Sequence, residues 1–205
     1  MSENIEKIVY INLDKREDRR KEIEGELEKM SLLEKAERFP AIYHQEGLVG
    51  CGQSHLAVLK IARDRGYKNI LILEDDFMFL VTKEEVEQNM RLFFDSKIPY
   101  DVCMISYHIQ RSEEVSEYPF LKRIREAQTT SGYIVNESCY DELIQVWEDA
   151  FPKLERTREH WIYANDQVWK VLQEKGLWYC FKTRIGKQRP GWSDNSNSYN
   201  ECIGY

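Results

Sequence analysis

The chain has 205 residues, 42% of them hydrophobic and 32% charged, with a formal net charge of −7 at pH 7. This length fits one domain with a sizeable core, and the negative charge argues against a general nucleic-acid-binding surface. The five cysteines form no CxxC pair, which argues against a zinc knuckle and against a complete disulfide framework. The N-terminus lacks a signal-sequence pattern, and no apolar run approaches the roughly 20 residues that span a bilayer. We therefore expect a cytoplasmic protein with reduced thiols and no membrane span.

Strands and helices alternate through the first half of the chain. Apolar runs predict strands over residues 8–13, 36–43 and 69–73, and amphipathic patterns predict helices over residues 15–33, 50–65 and 83–94. Asp14 is placed to cap the first helix, and Thr82 with Glu85 forms a capping box before the third. This alternation predicts an α/β fold with a mainly parallel central sheet flanked by helices.

The second half has weaker patterns. It contains predicted strands over residues 101–106, 123–126, 130–135 and 177–181, and predicted helices over residues 137–151 and 165–175. Residues 107–122 are polar and irregular, so we expect a surface excursion there. The polar tail from residue 183 is either a lid that closes over a ligand or a poorly ordered terminus.

The third predicted strand ends in three acidic residues, Glu74, Asp75 and Asp76. Ligands bind at the carboxyl ends of strands in open α/β sheets. If the chain stays extended, Glu74 and Asp76 point to the same side and Asp75 to the other. Two convergent carboxylates suit Mg²⁺ or Mn²⁺. The alternative is a solvated acidic turn before the next helix.

The first strand leads into a helix start that carries Arg16 and Arg19. Free backbone N–H groups and two guanidinium groups would make a seat for a diphosphate. The alternative is a solvent-exposed helix with ion pairs such as Glu17 with Lys21. Because the chain has no Gly-rich phosphate loop at this turn, ATP hydrolysis and dinucleotide binding are not supported.

Two further positions have both a structural and a chemical interpretation. His55 shares a helix face with core-like residues and points inward, either as a hydrogen-bonded core histidine or as a ligand contact beside Ser54. Asp166, next to Asn165, is either a good helix start or a general base delivered from the second half of the chain. Asp194 in the tail is a possible further metal ligand.

Several stretches, taken together, resemble glycosyltransferase family 25, which includes lipooligosaccharide galactosyltransferases and the collagen galactosyltransferase domain. These stretches are VYINLD at residues 9–14, GCGQSHL at 50–56, ILEDD at 72–76, SGYIV at 131–135, Asn165–Asp166, and QRPGWSD at 188–194. The pairing of Ser-His-Leu with Glu-Asp-Asp about 20 residues later is the most specific of them.

The resemblance implies a GT-A fold, a nucleotide-sugar donor such as UDP-galactose or UDP-glucose, a glycan-type acceptor, and inversion at the anomeric carbon. Asp166 is expected to remove the proton of the acceptor hydroxyl. The residues expected to hold Mn²⁺ or Mg²⁺ are Glu74, Asp76 and Asp194. The residues expected to contact the donor are Asn12, Asp14, Arg16, Arg19, Ser54, His55 and Asp75.

The expected organisation is one domain over residues 1–205, with a donor-binding half over about 1–106 and an acceptor-side half over about 107–205. Residues 107–122 depart from the family pattern, so the identity of the acceptor is not implied. Two alternatives stay open: a metal-dependent nucleotidyltransferase, and an inactive module that binds a nucleotide sugar or a protein partner.

Overall fold

Twelve strands and seven helices make up the computed structural model, which describes residues 4–193 and 198–201. The strands are β1 (Lys7–Asn12), β2 (Ala36–Pro40), β3 (Asn69–Glu74), β4 (Phe77–Phe79), β5 (Val102–Met104), β6 (His108–Glu114), β7 (Leu121–Gln128), β8 (Gly132–Asn136), β9 (Trp178–Phe181), β10 (Gly186–Gln188), β11 (Gly191–Ser193) and β12 (Ser198–Asn200). The helices are α1 (Glu17–Lys29), α2 (Gly47–Asp64), α3 (Lys83–Asp95), α4 (Tyr140–Thr157), α5 (His160–Tyr163), α6 (Asn165–Val168) and α7 (Lys170–Lys175), with 3₁₀ turns at Leu33–Lys35 and Glu137–Cys139.

Eight of the strands form one central sheet in the order β2-β1-β3-β8-β5-β9-β7-β6. β1 pairs in parallel with β2 and β3, and β5 pairs in parallel with β9, whereas β7 and β8 run against their neighbours. Six strands therefore point in one direction and two in the other. The predicted α/β class, with a mainly parallel sheet flanked by helices, is confirmed.

The apolar run of β3 explains why the sheet has a core on each face. Ile70 and Ile72 pack into the cluster that contains residues of α2 and α4. Leu71 and Leu73 alternate with them and pack into the cluster that contains residues of α1 and α3. Because both faces of β3 are covered, its sequence is continuously apolar rather than alternating.

The helix caps test the local predictions. The capping box at Thr82 and Glu85 is confirmed at the start of α3. The predicted cap at Asp14 is wrong, because α1 begins at Glu17 with no side-chain cap and Asp14 pairs instead with Arg38. A helix that starts later than predicted places Asp14 too far from its first free N–H groups.

Two stretches predicted to be irregular form strands. Within residues 107–122, β6 pairs with β7 at the edge of the central sheet, so the prediction of a surface excursion was wrong. The run is polar because an exposed edge strand carries charged side chains. In the tail, β10 pairs with β4, which places residues 186–188 beside the short strand that follows the turn at residues 75 and 76.

The described cysteines form no disulfide bond. Among the described residues, Cys51, Cys103, Cys139 and Cys180 are free thiols, and Cys202 lies outside the described part. None of the helices in that part of the chain has both the length and the apolar character to cross a bilayer.

Candidate functional site

A cleft of about 370 Å³ opens where β1 and β3 end. The two strands are parallel neighbours, with Ile11 opposite Glu74, so their carboxyl ends share one edge of the sheet. Arg19, Cys51, His55 and the three acidic residues 74–76 line the cleft. The position agrees with the general place of ligand sites in open α/β sheets.

The acidic residues do not continue the alternation of β3. The strand ends at Glu74 and the chain turns at residues 75 and 76. Arg19 Nη1 lies 3.0 Å from Asp75 Oδ1 and 3.3 Å from Asp76 Oδ2. One guanidinium therefore meets two carboxylates, which partly offsets the cost of burying three acids together.

Glu74 is held by a buried hydrogen-bond network. Its Oε1 lies 3.2 Å from His55 Nε2 and accepts a 2.6 Å bond from the Thr130 hydroxyl. On the other side of the imidazole, His55 Nδ1 lies 2.8 Å from the Tyr133 hydroxyl. Burial raises the pKa of Glu74, but the bonds from His55 and Thr130 and the charge of Arg19 outweigh it, so the pKa lies below its ordinary value.

Asp75 accepts a hydrogen bond from Asn12, the last residue of β1. Asn12 Nδ2 donates to Asp75 Oδ2 at 2.8 Å, and the same amide group donates to the Arg16 carbonyl at 3.0 Å. Burial raises the pKa of Asp75 against the opposing effects of Arg19 and Asn12. Asn12 thus acts on the cleft through Asp75, because both of its amide N–H groups already donate inside the protein.

Asp76 has an unpartnered oxygen. Its Oδ2 receives bonds from Arg19 and, at 3.4 Å, from Gln188 Nε2, while its Oδ1 is buried and has no partner among the described residues. Burial and the charges of Glu74 and Asp75 raise the pKa of Asp76 to about 8 despite Arg19. A buried carboxyl oxygen without a partner, on a group that nearby carboxylates keep from ionising, is what a divalent cation would satisfy, so the donor set fits Mg²⁺ or Mn²⁺.

The two arginines of the first helix region meet the tail. Arg19 Nη2 donates to the Trp192 carbonyl at 2.6 Å, and Arg16 Nη1 lies 3.4 Å from the same oxygen. Arg16 also pairs with Asp18 at 2.8 Å. The tail therefore covers the arginine side of the cleft, supported by Arg189, which pairs with Glu26 on α1.

Asp166, from the second half of the chain, lies near the acidic cluster and is linked to it through Thr129 and Gln188. Its Oδ2 accepts a 3.2 Å bond from the Thr129 amide, and the Thr129 hydroxyl contacts Gln188, which in turn contacts Asp76. Burial raises the pKa of Asp166, and the charge of Glu74 adds to the effect. Thr129 has a φ of 79°, a strained conformation for a β-branched residue of the kind that clusters at functional sites.

Two of the expected site residues, Asp14 and Ser54, are not brought to the cleft, and Asn12, Arg16 and Asp166 lie behind the residues that line it. Asp14 is exposed and pairs with Arg38. Ser54 is fully buried, where its hydroxyl accepts from the Ile42 amide and donates to the Gly50 carbonyl. Asp194 lies outside the described residues.

Other residues at the site were not predicted. Lys15 and Tyr43 line the cleft, with the Lys15 ammonium 5.5 Å from the Tyr43 ring centroid. Thr130 and Gln188 contact the acidic residues directly. Gln188 begins the QRPGWSD stretch, which is a sequence signal. No local pattern marks Lys15, Tyr43 or Thr130, because each reaches the site only through packing between distant segments.

Comparison with known proteins identifies the fold of this chain but not its family. No protein-family model and no curated protein matches the chain, so the likeness to family 25 rests on its motifs. Among solved structures, mannose-1-phosphate geranyltransferase from Thermus thermophilus superposes with a TM-score of 0.50 at 10% identity, over 91% of this chain and 74% of that one. The chain therefore has a GT-A-like fold.

Two other solved structures also match. A197 from STIV has a TM-score of 0.47 at 11% identity, over 94% of this chain and 92% of its own. A glycosyltransferase involved in the glycosylation of the major capsid of PBCV-1 has a TM-score of 0.45 at 10% identity, over 86% of this chain and 92% of its own.

Proposed function

We propose that this protein is a metal-dependent glycosyltransferase that moves a sugar from a nucleotide-sugar donor to a hydroxyl group of a glycan-type acceptor. UDP-galactose and UDP-glucose are the first donors to test. The observation that carries the proposal is the buried Oδ1 of Asp76, which has no partner within residues 4–193 and 198–201 and lies beside Arg19 in a cleft at the carboxyl edge of the sheet. The motifs shared with family 25 cover the same residues.

Arg19 and Arg16 are proposed to bind the donor diphosphate. Arg19 is already oriented by Asp75, which Asn12 holds in place. A phosphate oxygen would replace the Trp192 carbonyl as the acceptor of an Arg19 N–H group. Asp76 and Glu74, joined by Asp194 in the proposal, would hold Mn²⁺ or Mg²⁺, which when bound stabilises the negative charge of the departing diphosphate.

Asp166 is the proposed general base. The acceptor hydroxyl oxygen forms a bond to the anomeric carbon while the bond from that carbon to the phosphate oxygen breaks. The hydroxyl proton passes to the Asp166 carboxylate, and the nucleoside diphosphate leaves. Burial raises the pKa of Asp166, which makes it a stronger base than an exposed aspartate. A single displacement of this kind inverts the anomeric configuration.

A second candidate is nucleotidyl transfer to a sugar 1-phosphate. It is favoured by the fold shared with the Thermus thermophilus protein, whose name includes mannose-1-phosphate. The two reactions release different products, because sugar transfer releases a nucleoside diphosphate and nucleotidyl transfer from a nucleoside triphosphate releases pyrophosphate.

The test combines ligand binding with product analysis. UDP-, GDP- and CMP-sugars are screened by thermal shift with and without Mn²⁺, and each stabilising donor is then incubated with the protein and a panel of glycans. A Mn²⁺-dependent shift followed by release of nucleoside diphosphate supports glycosyl transfer. Release of pyrophosphate from a nucleoside triphosphate and a sugar 1-phosphate selects the second candidate, and binding without turnover leaves a nucleotide-sugar-binding module.

A further inference from the structure

A thiol, an imidazole and a carboxylate converge in the cleft. The Sγ of Cys51, a ring nitrogen of His55 and a carboxylate oxygen of Glu74 all lie within 4.8 Å of one another. Cys51 and His55 are one turn apart on α2 and share the face that meets the end of β3. All three residues line the cleft. The His55 side chain is itself buried, so an ion would enter from the side of Cys51 and Glu74, which are partly exposed.

Two of the three side chains in this cluster are held by hydrogen bonds from neighbouring residues, as the ligands of metal sites usually are. The imidazole of His55 is fully buried, and its Nδ1 lies 2.8 Å from the Tyr133 hydroxyl. Metal-ligating histidines nearly always use the second ring nitrogen for such a hydrogen bond, which fixes the orientation of the ring. Glu74 is fixed in the same way by Thr130 at 2.6 Å.

We propose that Cys51, His55 and Glu74 form a binding site for Zn²⁺. One sulfur, one nitrogen and one oxygen donor is a set that suits zinc and does not suit Mg²⁺ or Mn²⁺, which prefer oxygen ligands. The fourth position faces the cleft and is open to water or to the nearby Asp76. Because Glu74 also belongs to the proposed Mn²⁺ or Mg²⁺ site, Zn²⁺ and the harder cation would compete for it.

The distances require only a small adjustment. His55 Nε2 and Glu74 Oε1 are already 3.2 Å apart, near the roughly 3.4 Å that tetrahedral zinc bond lengths imply. When the ion binds, the Cys51 thiol must lose its proton to solvent. The His55 proton must also move from Nε2 to Nδ1, where the N–H donates to the Tyr133 hydroxyl oxygen 2.8 Å away. Burial and the carboxylates of Glu74 and Asp76 raise the pKa of Cys51 in the metal-free protein, so a metal that binds thiolate weakly would not displace the thiol proton.

Cobalt binding tests the proposal directly. Co²⁺ replaces Zn²⁺ at such sites and gives a thiolate-to-cobalt charge-transfer band in the near ultraviolet when a cysteine is a ligand. We expect the full-length protein to show this band and Zn²⁺ to abolish it. Cys51→Ser should remove the band and weaken Zn²⁺ binding by roughly 100-fold or more, whereas Tyr133→Phe, which removes only an outer contact, should weaken it by roughly 10- to 100-fold.

Cys202→Ser is the matched control, because Cys202 lies outside the described residues and must not be the source of the signal. The band should be unchanged in that variant. A band that persists in Cys51→Ser, a band lost in Cys202→Ser, or no band in the wild-type protein at saturating Co²⁺ would overturn the proposal.

Alkylation gives a second measurement that does not depend on the folding of a variant. Cys51 is the half-buried thiol among the described cysteines, whereas the other three are buried. Zn²⁺ should lower the rate at which iodoacetamide alkylates Cys51 below the rate in the metal-free wild-type protein, which is itself slow because the Cys51 pKa is raised. Mass spectrometry of the Cys51 peptide gives both rates. Unprotected Cys51 at a Zn²⁺ concentration that displaces Co²⁺ would overturn the proposal. Both measurements use protein and metal alone, so they hold or fail independently of sugar transfer.

Discussion

Glu74 and Asp76 lie two residues apart at the end of one strand, yet their carboxylates differ in almost every contact. The side chains are equally buried, with 15% and 14% of their surface exposed. Glu74 Oε1 receives hydrogen bonds from His55 and Thr130, whereas Asp76 Oδ1 has no partner among the described residues. Each carboxylate has two side-chain donors, but those of Glu74 lie at 3.2 and 2.6 Å, whereas those of Asp76 lie at 3.3 and 3.4 Å and both contact Oδ2. Since burial is the same, the closeness and placement of the donors separate the two residues.

The pKa values follow the same division. The pKa of Glu74 lies below its ordinary value, because its donors and Arg19 outweigh burial. The pKa of Asp76 is raised to about 8, because burial and two neighbouring carboxylates outweigh Arg19. A buried carboxylate with short hydrogen bonds can stay ionised, while one crowded by other carboxylates needs an added positive charge. The protein itself therefore favours the ionised form of Glu74, and Asp76 is the carboxylate that most needs a cation.

Asp76→Asn should have the largest effect. The amide keeps the size of the side chain but removes the charged ligand oxygen, so turnover with saturating donor and Mn²⁺ should fall on the order of 10³-fold, which matches several kcal/mol of metal stabilisation. Steady-state rates measure this effect. Asp14→Asn, at an exposed carboxylate away from the cleft, should leave the rate unchanged. Unchanged turnover in Asp76→Asn would remove Asp76 from the metal site.

Asp166→Asn should lower kcat by roughly 10²- to 10⁴-fold, the usual contribution of a general base, with little change in donor binding. Rates and the donor dissociation constant must both be measured, since the split between them defines the role. Asp149→Asn, at an exposed position on α4, is the control and should behave as the wild type. Equal losses in turnover and donor binding would count against the base.

Thr130→Val tests how much the buried Glu74 carboxylate depends on the hydroxyl that donates to it. It removes the 2.6 Å bond to the carboxylate and the 3.1 Å bond that the hydroxyl accepts from Asn165, and losing a hydrogen bond to a charged group should by itself cost about 1.5–3 kcal/mol in the free energy of unfolding. Urea denaturation gives the value. Thr157→Val, at an exposed residue at the end of α4, should cost much less. If the two variants lose equal stability, Glu74 does not depend on this donor.

Glu26→Gln should have the smallest effect. It acts near Asp76, because Glu26 pairs with Arg189, whose backbone N–H donates to the Asp76 carbonyl. Glu26 accepts from Arg189, Lys29 and the Phe79 amide, and losing its charge should cost about 1 kcal/mol at neutral pH. Burial raises the Glu26 pKa, but these partners lower it below its ordinary value of 4.5. The stabilisation is therefore present above pH 4.5 and is lost as the pH falls through the lower folded-state value.

The measurement is the difference in unfolding free energy between wild type and Glu26→Gln at several pH values. The difference should shrink as the pH is lowered below 4.5. Glu28→Gln, on the exposed side of the same helix, should show no such trend. A difference that grows at low pH would contradict the role assigned to Glu26.

Local sequence patterns predicted well those strands and helices whose signals lie within a few neighbouring residues. The apolar run of β3 and the capping box of α3 are short-range features, because burial on both faces and a helix cap leave their mark within a few neighbouring positions. The polar edge strand β6 was missed for the converse reason, since its pairing with β7 depends on a partner and not on its own periodicity.

The amino-acid sequence by itself determined the order of strands and helices in the first half, the inward position of His55, and the presence of three acids where β3 ends. Only the tertiary structure decided that Glu74 contacts Thr130 and His55 and that His55 contacts Tyr133. It also decided that Asp76 Oδ1 has no hydrogen-bond partner in the described part of the chain. These contacts join segments up to 78 residues apart. Periodicity reports the face that a residue presents, whereas the partner on that face is set by how the whole chain packs.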